Sequence, residues 1–271
     1  MDVIEQPAEW RRHYEAWASE RPGRGNEDDI EDSYPYVRNR RAPFTAARRA
    51  LPMLNLALIS SAGAYIDGTD PFDTHAPAGD FNFREIPTEV EPDDLRFAAR
   101  GYDVAAVQQD INAEVPLERL FEFESNGIIG QFNEVFWSFC GFIPDATTFA
   151  EKTLPRLVER LQRYEVQAAL VIPASRLCHQ SISLAARAIE QAGIPTMMLA
   201  VVKDVVESVR PPRAGLYEGQ LGMVSGKPNW PEHQRRVLDE ALRLIEPMDQ
   251  PGIWNLAVEL ESQIEKSRGE R

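Results

Sequence analysis

Cysteine is nearly absent: Cys140 and Cys178 are all that 271 residues contain. Two thiols build no disulfide framework, so the sequence reads as a protein of a reducing compartment, with the cytoplasm as expected location. Positive charge is also short. Twenty-nine Lys and Arg against forty-three Asp and Glu leave a formal charge of −14, which opposes nucleic-acid phosphates and anionic membranes, so neither is an expected partner. No apolar run approaches the ~20 residues of a membrane span, and the opening MDVIEQPAEWRRHYEAW has no apolar stretch of signal length. No GxGxxG or Walker pattern follows a strand, which leaves nucleotide cofactors without support. No second His or Cys stands at ligand spacing from His75, so no metal is expected, and no cofactor is evident.

The pattern of apolar runs supplies the architecture. Residues 1–50 read as an N-terminal arm, with Trp10, Tyr14 and Trp17 followed by the turn-rich PGRGNEDDIEDSYPY and the basic RNRR. Residues 51–271 read as a single α/β domain. LNLALISSAG from Leu54, EVFWSFCGFIP from Glu134, the run around Ala168 and AGIPTMMLAVV from Ala192 are short apolar segments of the kind buried in parallel sheets. Amphipathic stretches lie between them: Leu117 to Asn126, closed by Gly127; a helix capped by Thr147 or Thr148 and interrupted by Pro155; and a helix after Cys178 that stops at Gly193. A further helix follows Pro231. The expected fold is a three-layer, Rossmann-like or flavodoxin-like domain, with a mostly parallel sheet and helices on both faces. The segment AYIDGTDPFDTHAPAGDFNFREIP is expected as a long ordered loop.

Chemistry concentrates in AALVIPASRLCHQSIS, residues 168–183. A buried strand ending near Pro173 and a helix starting near Cys178 place that thiol at a helix N-terminus, where unpaired N–H groups and the macrodipole favour the thiolate. A lowered thiol pKa is therefore expected, with Arg176 and His179 as further help; a buried, inert cysteine is the alternative. Ligands of open α/β sheets bind beyond the carboxyl ends of strands, so Cys140 and Cys178 are expected to face one crevice. Asp110 and Asn112 in QQDIN are candidates for substrate contacts or for helix capping. Arg210 and Arg213 bracket two prolines, and Arg213 is a candidate for a substrate carboxylate or for a structural ion pair.

In order along the chain, LISSAGAYIDGTDPFD, GDFNFREIP, GYDVAAVQQDIN with VPLERL, FWSFCGFIPD, VIPASRLCHQS, AGIPTMML, VRPPRA and QRRVLDEAL resemble the selenoprotein B family of glycine, sarcosine and betaine reductases, including the related D-proline reductase subunit. The resemblance runs from about Leu54 to Glu246. In that family a selenocysteine or cysteine stands three residues before the cysteine of the Cys-His-Gln block and displaces an amine from the substrate carbon. Here that position is Ser175, Arg176 replaces the following proline, and the RGYD block lacks the histidine found in relatives. A serine hydroxyl cannot form a selenenyl-sulfide or disulfide with Cys178.

Three readings follow. In the first, the chain is a reductase-like enzyme of a biosynthetic pathway, acting on a C–N or C–S bond of a small molecule with an external thiol as reductant. Cys178 is then the working thiol, His179 the proton carrier, and Ser175, Gln180, Asp67 and Asp73 shape the substrate site. In the second it is a lyase or isomerase using thiol acid/base chemistry with Cys140 across the crevice. In the third it is a non-catalytic scaffold or regulatory subunit of a related reductase. A homo-oligomer is expected from the aromatic arm and the Gly-rich segment near Trp230.

Overall fold

The structure is a computed structural model and describes residues 2–20 and 33–258. Most of the acidic, turn-rich stretch of the arm, and Leu260 at the chain end, lie outside the described residues.

The apolar runs become an eight-stranded sheet. Its centre is β1 (Asn55–Ser60), followed in the chain by two strands where the sequence suggested only loop: β2 (Ala64–Ile66) and β3 (Arg84–Pro87). β2 pairs antiparallel with β4 (Leu95–Phe97) in a small separate sheet. The loop reading fails there because these short strands are made by pairing with distant segments, β2 with β4 and β3 with β6, and carry no periodicity of their own among the surrounding Gly, Pro and Asp. Short strand β5 (Gln131–Phe132) then pairs with the start of β1, and β6 (Val135–Ser138) pairs with its end. The remaining strands are β7 (Ala168–Ile172), β8 (Thr196–Ala200), β9 (Arg213–Leu216) and β10 (Gly252–Asn255). The spatial order is β10-β9-β8-β7-β1-β6-β3, parallel except for β3 against β6.

Helices cover both faces because the strand residues are apolar on both sides. Even-numbered Leu56, Leu58, Phe136, Leu170 and Ile172 gather with α3 (Leu117–Ser125) and α7 (Pro231–Leu242). Odd-numbered Ala57, Ile59, Trp137, Ala169 and Val171 gather with α4 (Leu154–Arg163), α5 (Arg176–Gln191) and α6 (Lys203–Val209). Each fully buried Leu or Ile adds roughly 1.5–3 kcal/mol to this three-layer core. Two further helices are α1 (Pro7–Ser19) in the arm and the short α2 (Ala105–Gln109).

Local signals decide the helix ends. Gly127 and Gly193 take positive φ just beyond α3 and α5, a geometry that suits residues without a Cβ. The cap ahead of α4 is Asp145, which accepts from the Thr148 N–H at 3.0 Å, and not Thr147 or Thr148 as the spacing suggested. A π-helical turn over Phe149–Thr153 then absorbs the irregularity before Pro155, which sits in the first turn of α4 where its missing N–H is harmless.

The arm lies along α5. Gln180 is its anchor: its carbonyl accepts from Val37 N at 2.8 Å and its amide donates to Tyr34 Oη at 2.7 Å. Buried Arg187 donates to the backbone carbonyls of Asp2, Val3, Arg41 and Arg210. Trp10, Tyr14, Trp17, Tyr34 and Tyr36 stack or meet edge to face above this contact. A groove of about 790 Å³, lined by residues including Trp10, Tyr34, Tyr36 and Asp204, remains between the arm and α6, and it does not reach Ser175 or Cys178.

Candidate functional site

The chain leaving β1 builds the β6 side of the sheet, whereas the chain leaving β7 builds β8, β9 and β10 on the other side. Adjacent strands whose connections part in this way define a topological switch point, the usual ligand position in doubly wound sheets. Ser60 and Ser61 end β1 there, and Ser175 opens α5 just beyond β7.

Ser175, not Cys178, begins the helix. Its backbone is extended and its Oγ accepts from Cys178 N at 3.1 Å, so it is the N-cap. The same hydroxyl donates to Cys178 Sγ at 3.0 Å, and the thiol donates to Ser61 O at 3.8 Å. Glycine at position 141 lets the chain after β6 close onto the sulfur: a Cβ there would lie 2.9 Å from Sγ and 2.4 Å from Ser61 Cβ. Cys178 is consequently 1% exposed.

This burial overturns the expected lowering of the thiol pKa. Desolvation pushes Cys178 up, outweighing hydrogen bonds from Ser175 and Ser61 that act in the opposite sense. Backbone N–H groups at Ser175 and Ala174 also act to lower it, but burial outweighs them and favours the thiol over the thiolate. Cys140 is also buried and is pushed up to about 12, first by desolvation and then by Cys178, which places the two sulfurs in one neighbourhood.

His179 is fully buried with both ring nitrogens occupied: Nδ1 lies 2.7 Å from Ser175 O, and Nε2 accepts from Val201 N at 3.1 Å. This arrangement requires the neutral Nδ1–H tautomer, and desolvation holds its pKa down to about 4. Gln180 faces the arm. The structure therefore brings Ser175, Cys178, Cys140 and His179 together and directs Gln180 elsewhere.

The other candidates are engaged apart from this cluster. Asp67 pairs with Arg96 at the surface. Asp73 accepts from His75 and Ala76 N–H groups in its own turn. Asp110 accepts from Asn112, Asn229 and Gln234, while Asn112 Oδ1 accepts from Glu118 N in the first turn of α3. Arg213 is fully buried against Glu190, also fully buried, and donates to Thr45 O at 2.6 Å. Arg210 donates to Arg40 O. Among the described residues no group of three or more His, Cys, Asp or Glu is arranged to hold a metal.

One residue of the cluster had drawn no notice in the sequence: Glu114. It is fully buried on the same sheet face as Ser60 and Ser138, its Oε1 accepts from Val224 N at 3.0 Å, and desolvation raises its pKa well above the usual carboxylate range. The only sequence signal was a carboxylate between apolar Ala113 and Val115. The Gly-rich segment 217–230 covers the site, with Gly222 N donating to Ala174 O and Ser225 N to Ala113 O. Gly222 has φ +78, and a Cβ there would meet Asp103 O at 2.6 Å.

Fold and site together define a doubly wound α/β protein with a Ser-x-x-Cys turn at its switch point. Residues 25–174 match the family model for glycine/sarcosine/betaine reductase selenoprotein B, and the chain belongs to that family. The gamma subunit of D-proline reductase from Acetoanaerobium sticklandii is 31% identical over 202 residues, 74% of this chain and 82% of the relative. Sarcosine reductase complex component B subunit beta from Peptoclostridium acidaminophilum is 27% identical over 186 residues, 66% of this chain and 42% of the relative. Glycine reductase complex component B subunit gamma from Symbiobacterium thermophilum is 24% identical over 178 residues, 64% of this chain and 40% of the relative. The chain thus spans most of the first relative and less than half of the other two. No solved structure matches the chain significantly. Among the described residues no helix is long and apolar enough to cross a membrane.

Proposed function

We propose that the chain works as a subunit of a reductase complex of this family and does not itself carry a thiol or selenol redox couple. Cleavage of a C–N or C–S bond, with an external thiol as reductant, then belongs to the assembled complex, and a related reductase subunit is the partner. The names of the relatives, each a subunit or component of a reductase, support the assembly. The observation that carries the loss of redox chemistry is the double engagement of the Ser175 hydroxyl within the first turn of α5, beside a sulfur that burial keeps as a thiol. Serine at this position has no second oxidation state to share with Cys178.

The test uses the purified full chain with D-proline, sarcosine or glycine and excess dithiothreitol. No turnover is expected, and Cys178 should react with a thiol reagent only on unfolding. Turnover that disappears in Cys178→Ser, or rapid native modification of Cys178, would restore the thiol-enzyme reading. Ser175→Cys, freed of dithiothreitol and treated with oxidised glutathione as the two-electron oxidant, should form a reducible disulfide between the introduced cysteine and Cys178 with release of reduced glutathione, counted by thiol titration in denaturant.

A further inference from the structure

Buried polar groups in folded proteins nearly always have partners, and a cluster of exceptions calls for an explanation. Three side-chain oxygens on one face of the switch point have none among the described residues: Ser138 Oγ, Glu114 Oε2 and Ser225 Oγ, all in residues 0% exposed. Ser138 is the register partner of Ser60, Ser60 Oγ donates to Glu114 O at 3.2 Å, and Val224 N, the neighbour of Ser225, donates to Glu114 Oε1. The three orphans thus belong to residues that are neighbours by strand register, by hydrogen bond or by sequence, under the segment 217–230.

The chemistry of the guest follows from where the carboxyl proton sits. Oε1 receives an N–H and serves as the carbonyl oxygen, so the proton belongs on Oε2, which becomes a donor without an acceptor. No cation is paired with the group among the described residues, and burial favours its neutral form. Ser138 and Ser225 add two hydroxyls that can donate. We propose that Glu114, Ser138 and Ser225 form a buried site for a small molecule bearing a carbonyl-type oxygen, to which Glu114 donates its hydrogen bond. The cover over it is held to the body at Ala174, Ala113 and Glu114, so entry requires those bonds to part. The site adds a ligand position to the subunit described above and stands whether or not that subunit turns over.

The experiment titrates the full chain with acetamide, acetate and methylammonium by NMR chemical shift, in wild type and in Glu114→Gln and Glu114→Met. Acetamide or acetate should bind wild type, with the stronger of the two showing whether the guest is neutral or anionic. Glu114→Gln keeps a donor and should bind within about threefold, whereas Glu114→Met should weaken binding about tenfold, the loss of one buried hydrogen bond. Should Glu114→Met fail to fold, the double variant Ser138→Ala with Ser225→Ala should give the same weakening. Methylammonium binding that disappears in Glu114→Gln would overturn the proposal in favour of a carboxylate that pairs with cations. No binding of any probe, with an ordered water alone satisfying the three oxygens in a crystal structure, would overturn it as well.

Discussion

The two ends of α5 hold buried polar groups under opposite conditions. In its last turns Arg187 and Glu190 are surrounded by partners: four backbone carbonyls for the first, and Arg213, Thr45 and Thr196 for the second. Around its first turn lie a thiol, an imidazole and a carboxyl whose neutral forms burial favours, with three oxygens nearby that have no hydrogen-bond partner among the described residues. One end is a fastening for the arm; the other holds buried polar oxygens without a partner among the described residues. The difference teaches that burial alone does not set how a polar group is held: the last turns supply charged and carbonyl partners, whereas the first turn leaves carboxyl and hydroxyl oxygens without one among the described residues.

Breaking the fastened end should have the largest effect. Arg213→Met leaves the Glu190 carboxylate buried without its guanidinium and should lower unfolding free energy by roughly 3–5 kcal/mol, measured in urea. The first-turn end is next, and it answers to pH. His179 has a folded pKa of about 4, below its unfolded value of ~6.5, so the unfolded chain binds the extra proton between them. The stability His179 contributes is complete above ~pH 6.5 and lost as pH falls to 4, roughly 3 kcal/mol in all. Glu114 has the opposite sign. Its raised folded pKa gives stability that is present below the unfolded value of ~4.3 and lost as pH rises; Glu114→Gln should flatten that decline and leave the His179 slope intact in the same titration. Gln180→Ala, which releases Val37 and Tyr34, should cost roughly 2 kcal/mol and accelerate amide exchange in residues 33–41. Ser175→Ala, removing the cap together with the weak hydrogen bond to the Cys178 sulfur, should cost about 1 kcal/mol.

Much of this contrast was written in the residues, and some was not. The central strands β1, β6, β7 and β8, the parallel order around Ala168 and the helix stops at Gly127 and Gly193 follow from apolar patterning and from backbone conformations that glycine favours, whereas β2, β3 and β9 lie in segments that read as loop. The turn carrying Ser175 and Cys178 was legible for the same reason. What periodicity cannot report is depth: Cys178 sits at a helix N-terminus as expected, yet Gly141 and Ser61, distant in sequence, close over it and reverse its pKa. Glu114 was invisible because one carboxylate in an apolar stretch looks like any surface residue until Val224, 110 positions away, is seen to bond to it. Arg213 showed its ion-pairing chemistry in advance but not its partner.

The clamp between arm and helix carries a consequence for how the chain acquires its shape. Arg187 reaches Val3 across 184 positions, and Gln180 reaches Val37 across 143. Contacts so remote along the polypeptide form slowly, since the intervening loop must first be closed. The aromatic arm is therefore expected to settle late, once α5 has been made and docked.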